Sequence, residues 1–171
     1  MFCYFPTYQK IIVLHNLALK CLFLLIISCL YSCSSFEKKI SIRNLKNSEW
    51  QKDSLLHFDF NLNQAKNKLN FLYQVQYLPS YPFQNIWLTY TLKDPDGLEL
   101  IHSKDNLFLF EPLSGRPLGE HSKNRNYALA YFLKDVVLTK QGKYTIDIQH
   151  YMRPDVLTGI ESLGVMIEKS E

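Results

Sequence analysis

The side chains able to do chemistry fall into two groups that do not overlap. Cys3, Cys21, Cys29 and Cys33 all lie in the first 33 of 171 residues, so beyond Cys33 no thiol can form a disulfide, hold a metal or attack a substrate. The histidines of the remainder, His57, His102, His121 and His150, stand far apart, and none has a second histidine at the i+2 or i+4 spacing that presets a metal site. The chain also lacks a G-x-S-x-G elbow, a phosphate-binding loop, a dinucleotide glycine pattern and an H-E-x-x-H helix. This residue inventory points away from an enzyme and from any metal or cofactor. A hydrolase assembled from scattered Ser, His and Asp is the least favoured alternative.

The cysteines instead mark an address. After Lys20 the run CLFLLIISCLYS is 12 residues of apolar or small character, the length of a signal-peptide core and well short of the roughly 20 residues a spanning helix needs. It ends in Leu30-Tyr31-Ser32-Cys33, which fits a lipobox at its first, third and fourth positions; Ile26-Ile27-Ser28-Cys29 is the rival frame. Cys33 is favoured because polar SSFEKK follows it at once, and an acylated Cys33 would anchor the chain, since each buried methylene contributes about 0.8 kcal/mol and two or three acyl chains bind stably. A cleaved signal peptide or an amino-terminal anchor helix with an incidental cysteine is the alternative. Residues 1–19 are longer and more aromatic than a usual leader, as expected if translation starts further downstream.

Residues 1–32 are thus expected to be a lipoprotein signal peptide, 33–48 a lipidated cysteine and polar tether, and 49–171 a single domain. Residues 34–48 carry five charges of both signs and no sustained period, and about 15 extended residues reach on the order of 50 Å. Removing Lys10 and Lys20 lowers the formal net charge from +3 to +1, which argues against binding nucleic acid through its phosphates.

The domain must fold on its core alone, and its apolar period is two. Leu56, Phe58, Phe60 and Leu62 alternate with polar residues, as do Leu69, Phe71, Tyr73, Val75 and Tyr77, and Ile86, Leu88, Tyr90 and Leu92. Asp94-Pro95-Asp96-Gly97 supplies turn chemistry before residues 98–102 lead away as a hairpin partner. Tyr144, Ile146, Ile148, His150 and Met152 share a face, and Leu163, Val165 and Ile167 close the chain. Residues 126–137 fit either a strand or a helix, with strand favoured, and 112–126 read as a long loop. About seven or eight strands without intervening amphipathic helices predict an all-β fold, an antiparallel, jelly-roll-like β-sandwich.

Three polar or aromatic groups stand out. His150, on an apolar face, reads as a hydrogen-bonded core residue before a catalytic base. Arg153, Asp155 and Glu161 are spaced to form a salt-bridged corner beside it. Tyr77, Tyr81, Phe83 and Trp87 cluster around LPSYP at 78–82; a core role leads, but Tyr81, Phe83, Trp87 and Arg153 are candidates for a partner surface, Trp87 above all because it faces away from Ile86, Leu88 and Tyr90.

In order along the chain, YPFQNIWL at 81–88, DPDG at 94–97, GRPLG at 115–119, GKYTIDIQHYMR at 142–153, LTGI at 157–160 and LGV at 163–165 resemble the gliding motility lipoproteins of the GldH type from Bacteroidota, over about residues 33–170. The sequence departs from that pattern in its amino-terminal extension, in Tyr31, and in Leu118, where an aromatic residue is expected. The resemblance implies an outer-membrane lipoprotein of the gliding machinery and the associated type IX secretion system, held by Cys33, with other gliding or secretion envelope proteins as partners and no catalytic residue. Surface-exported lipoproteins of these bacteria carry acidic residues after the lipidated cysteine, whereas SSFEKK has one acid and two lysines, so the periplasmic face is expected. The alternative is a periplasmic glycan-binding or small-ligand-binding lipoprotein.

Overall fold

The computed structural model describes residues 38–122 and 124–170, with nothing drawn from the side chain of Asn67. They form eleven strands: β1 (Lys39–Asn44), β2 (Glu49–Gln51), β3 (Leu56–Leu62), β4 (Asn67–Tyr77), β5 (Asn85–Lys93), β6 (Glu99–Phe108), β7 (Glu120–His121), β8 (Asn126–Leu138), β9 (Gly142–His150), β10 (Val156–Thr158) and β11 (Ile160–Lys169). The expected seven or eight is therefore an undercount. Strands β2, β7 and β10 have two or three residues each, too few to display a period.

One sheet runs β1-β11-β4-β8-β7 and the other β3-β9-β5-β6, with β10-β2 as a small separate pair. All pairings between them are antiparallel. Counting only the eight long strands in chain order, the sheets read 1-8-3-6 and 2-7-4-5, the jelly-roll arrangement. The ambiguous segment 126–137 is strand throughout, as β8, because its residues pair with nearly all of β4, with register shifts around Asn70.

The period-two residues fill the space between the sheets. From the five-stranded sheet come Leu69, Phe71, Tyr73, Val75 and Tyr77 with Leu163, Val165 and Ile167; from the other come Phe58, Phe60, Ile86, Leu88, Tyr90, Ile146 and Ile148, all buried. Each such side chain contributes roughly 1.5–3 kcal/mol relative to exposure. Aromatic rings join the layers: Phe60 meets Phe71 edge to face at 5.7 Å, and Phe132 stacks on Tyr73 at 4.1 Å while its edge reaches Tyr90 at 5.0 Å. The 94–97 turn forms as expected, with Asp94 Oδ1 accepting from the backbone N–H groups of Asp96 and Leu98 at 2.9 Å. Lys140 pairs with the Asp94 carboxylate and holds its pKa below the ordinary value.

Two expectations need correction. Residues 39–44 are not tether: they pair with β11 over their whole length, Lys39 opposite Ile167 and Asn44 opposite Ser162. Their alternation is hidden in the sequence because Ile40 and Ile42 point away from the core, at 52% and 45% exposure. The loop 112–126 is also partly ordered, since Phe110 and Pro117 form a bridge and β7 adds to the edge of β8. Leu118 acts there through its backbone, its N–H donating to Leu109 O at 2.8 Å and its carbonyl accepting from the Tyr77 hydroxyl at 3.2 Å, so its side-chain identity matters little to these contacts.

Two substitutions test this packing. Gly119 sits at φ +87°, and a Cβ there would stand 2.2 Å from Tyr127 O, so Gly119→Ala is expected to cost more than about 2 kcal/mol in denaturant unfolding. The Tyr73 hydroxyl is buried without a hydrogen-bond partner among the described residues, and burial pushes its pKa up. Tyr73→Phe is therefore expected to leave stability unchanged or raise it by up to about 1 kcal/mol, and a loss larger than that would mean the hydroxyl is satisfied.

Candidate functional site

The cavity that gathers the sequence candidates lies at one end of the four-stranded sheet, on its outer face. Three elements build it. Strand β5 turns Trp87 outward because Ile86 and Leu88 are fully buried on the other side. Strand β6 pairs Lys104 with Thr89 and Asn106 with Trp87, which sets Lys104 next to the indole. Strand β9 ends at His150, and the chain then continues beside β5: the Tyr151 N–H donates to Trp87 O at 2.7 Å, and the Trp87 N–H points at Met152 Sδ at 3.3 Å.

The result is a cleft of about 530 Å³ lined by Phe83, Asn85, Trp87, Lys104, Tyr151, Met152 and Arg153. Lys104 Nζ stands 5.3 Å from the Trp87 ring centroid and 4.7 Å from that of Tyr151, holding the two rings on either side of one cation. Trp87 is 37% exposed and Tyr151 59%. Among the described residues, neither Lys104 nor Arg153 forms an ion pair with a carboxylate, although other lysines do. A basic, aromatic-walled cleft of this kind can take an anionic group next to a flat or apolar one.

Of the four surface candidates, Phe83, Trp87 and Arg153 meet here, and Tyr81 does not. Tyr81 is 5% exposed; its ring packs edge to face between Tyr77 and Phe83 at 6.3 and 5.8 Å, and its hydroxyl donates to Asn85 O at 3.0 Å, so it supports the cleft floor from below. Burial pushes its pKa up. The sequence alone does not mark Lys104 or Tyr151. Lys104 comes from a strand whose register only the structure fixes, and Tyr151 follows the last period-two residue of β9. The Arg153, Asp155, Glu161 corner does not form: Glu161 pairs with Arg125 at 3.1 Å and Asp155 with Lys52 at 3.9 Å, because the β2-β10 pairing carries the chain away between them.

His150 is the core residue expected. Its Nδ1 accepts from the Met152 N–H at 3.4 Å, so Nε2 carries the proton and donates to Trp50 O at 3.1 Å, with the Trp50 ring edge-on at 5.4 Å. Burial lowers its pKa and keeps it neutral. It thereby shapes the turn that presents Tyr151 and Arg153. A second polar group joins residues that are far apart in sequence. On the outer face of the four-stranded sheet the buried Asp147 carboxylate binds His57 Nδ1 at 2.6 Å and Lys93 Nζ at 2.7 Å. Asp147 on β9 thereby ties His57 of β3 to Lys93 of β5 across the sheet, and the Thr91 hydroxyl of β5 is bound to His102 Nδ1 at 2.8 Å. A second cavity, about 450 Å³ between β1 and β3, has its polar groups engaged, Asp59 with Lys143 and Thr145 and Lys39 with Asn61 O. Among the described residues no cluster of three or more His, Cys, Asp or Glu could hold a metal, and no helix is long and apolar enough to cross a membrane.

A sequence profile described as GldH lipoprotein matches residues 39–167, which is β1 through nearly all of β11. The chain belongs to the GldH lipoprotein family. It is 25% identical over 151 residues to the gliding motility lipoprotein GldH of Flavobacterium johnsoniae, covering 83% of this chain and 91% of that protein. It is 28% identical over 130 residues to a gliding motility lipoprotein GldH homolog of Christiangramia forsetii, covering 72% and 79%. Among solved structures, a family GH115 4-O-methyl-alpha-glucuronidase overlaps 81% of this chain at TM-score 0.40 and 13% identity; the chain spans only 18% of that protein, and so slight a likeness bears on nothing further. Cys33 and its rival Cys29, where the family's lipid is expected, lie outside the described residues.

The His150 environment makes a pH prediction. Because the folded pKa is lowered, the unfolded chain takes up a proton near pH 6.5 that the folded chain refuses, so stability is full above that pH and falls as pH drops below it. Thermal unfolding is expected to show a midpoint that declines from pH 7 to pH 5, with a flatter slope in His150→Asn; an unchanged slope would remove His150 as the cause.

Proposed function

We propose that the protein is a lipid-anchored envelope component of the gliding motility machinery and its associated type IX secretion, acting by binding a protein partner and performing no catalysis. Acylated Cys33 holds it on the outer membrane, at the periplasmic face. Family membership and relatives named gliding motility lipoproteins support the setting. The mode of action rests on one observation: Lys104 and Arg153, free of carboxylate partners among the described residues, border exposed Trp87 and Tyr151 in a single cleft. Aromatic and arginine side chains in a pocket are the residues that carry binding energy at protein interfaces, and uncompensated cations select an acidic segment.

A second reading, a glycan or small ligand lying on the Trp87 and Tyr151 rings, is favoured by their exposure and by the size of the cleft. Crosslinked membranes separate the two. Wild-type protein is expected to bring down a motility or secretion component, and the double variant Lys104→Glu, Arg153→Glu to recover on the order of tenfold less of it while staying membrane-bound. Recovery of no such component would overturn the protein-partner reading, and titratable binding of an acidic saccharide that the double variant lacks would replace it with the glycan reading.

A further inference from the structure

The outer face of the five-stranded sheet carries an apolar patch two rows wide, bordered by polar rows such as Asn44, Ser162 and Gln76. The register aligns Ile40, Met166, Leu72 and Tyr131 in one row across β1, β11, β4 and β8, and Ile42, Gly164, Gln74 and Leu129 in the next. Ile40 is 52% exposed, Ile42 45%, Leu129 58% and Tyr131 45%, while Met166 and Leu72 lie buried between them. Further along β8, Val137 is 55% exposed. An antiparallel sheet ordinarily shows polar residues on such a face, and a contiguous exposed apolar patch marks a contact surface. The patch is also closed at its centre. A Cβ on Gly164 would stand 3.1 Å from Ile42 Cγ1 and 3.3 Å from Gln74 Cβ, so the neighbours already fill the gap. The Gln74 side-chain oxygen Oε1 is withdrawn from solvent without a partner among the described residues, so covering this row costs that oxygen no further hydration.

What covers the face follows from where the chain leaves it. Strand β1 begins at Lys39, six residues after Cys33, and six extended residues reach only about 20 Å. Ile40 is the second residue of that strand. We infer that this sheet face lies on the bilayer surface, with Ile40, Ile42, Leu129 and Tyr131 entering the boundary between headgroups and acyl chains. The inference rests on the acylation of Cys33 proposed above. Its rim suits the location: tyrosine favours the membrane interface, and lysine stems can run along apolar surface and bring their ammonium groups to headgroup phosphates. At one end of the sheet Lys134 Nζ lies 4.5 Å over the Tyr131 ring, while Glu168 accepts from the Tyr131 hydroxyl at 2.7 Å and pairs with Lys38 at 3.5 Å, so Lys134 is the lysine placed to reach a phosphate there. A short tether also supplies a high effective concentration of lipid, so a weak surface contact is enough to orient the domain.

Full-length lipidated protein in phosphatidylethanolamine and phosphatidylglycerol vesicles tests this. The body has no native cysteine beyond Cys33, so single probes can be placed through Leu129→Cys on this face and His102→Cys on the opposite one. Brominated lipid is expected to quench a fluorophore at 129 and not at 102, and Ile40→Glu with Ile42→Glu to abolish the quenching at 129 while the protein still sediments with vesicles. Equal absence of quenching at both positions in vesicle-bound protein overturns the docking inference. So does a fluorescence change at 129 that follows protein concentration and not lipid, which would assign the face to a second copy of the chain. Protein that fails to sediment and carries an unacylated Cys33 overturns the anchor reading instead, and the docking with it.

Discussion

The structure depends on where its last strand goes. Strand β11 enters between β1 and β4, so the five-stranded sheet cannot close until the final residues of the domain are in place, and β1 has no other strand partner in that sheet. Lys39 meets Ile167 and Asn44 meets Ser162 across almost the full length of the domain. Closing such a loop costs conformational entropy before any contact repays it. The compensation is that β11 is buried along most of its length, from Ser162 to Ile167, and joins both the inner core and the outer row.

Two cationic side chains then bind β1 to the other sheet. Lys39 Nζ donates to Asn61 O at 2.8 Å and Arg43 Nε to His57 O at 3.0 Å, with the Arg43 guanidinium 5.5 Å from the Phe58 ring centroid. These contacts bridge the edges of the two sheets on the side where the polypeptide comes in from its amino-terminal segment. The cleft is built on the outer face of the other sheet, so the domain turns an apolar face one way and a basic, aromatic one the other. Such a division would suit the membrane contact and the partner contact proposed above.

What the amino-acid order reveals, and what it hides, follows from how each element meets water. Strands β3, β4, β5 and β9 have apolar residues on one face, and their period of two is plain. Strand β1 has its isoleucines on the outer face, among Lys39, Ser41, Arg43 and Asn44, so the same alternation reads as polar tether. The cleft divides in the same way. Trp87 is recognisable as outward-facing from the parity of β5 alone, and Tyr81 misleads because it lies in a turn where parity does not apply. Lys104 becomes visible only when β6 is laid beside β5, since nothing local distinguishes it from other surface lysines. Likewise Arg153, Asp155 and Glu161 are neighbours in sequence, but pairing of Leu157 with Trp50 between them decides that they separate.

The β1-β11 ladder carries a mechanical consequence. If the chain is held at a membrane through the residues before Lys39, any pull on the body reaches it through β1. Load applied along the strand axis is shared in shear by the whole ladder from Lys39 to Asn44, whereas load applied across the sheet would open its hydrogen bonds one after another. Held in that way, β1 would be the force-bearing clamp of the domain, with a strength set by the carboxyl-terminal strand that it grips.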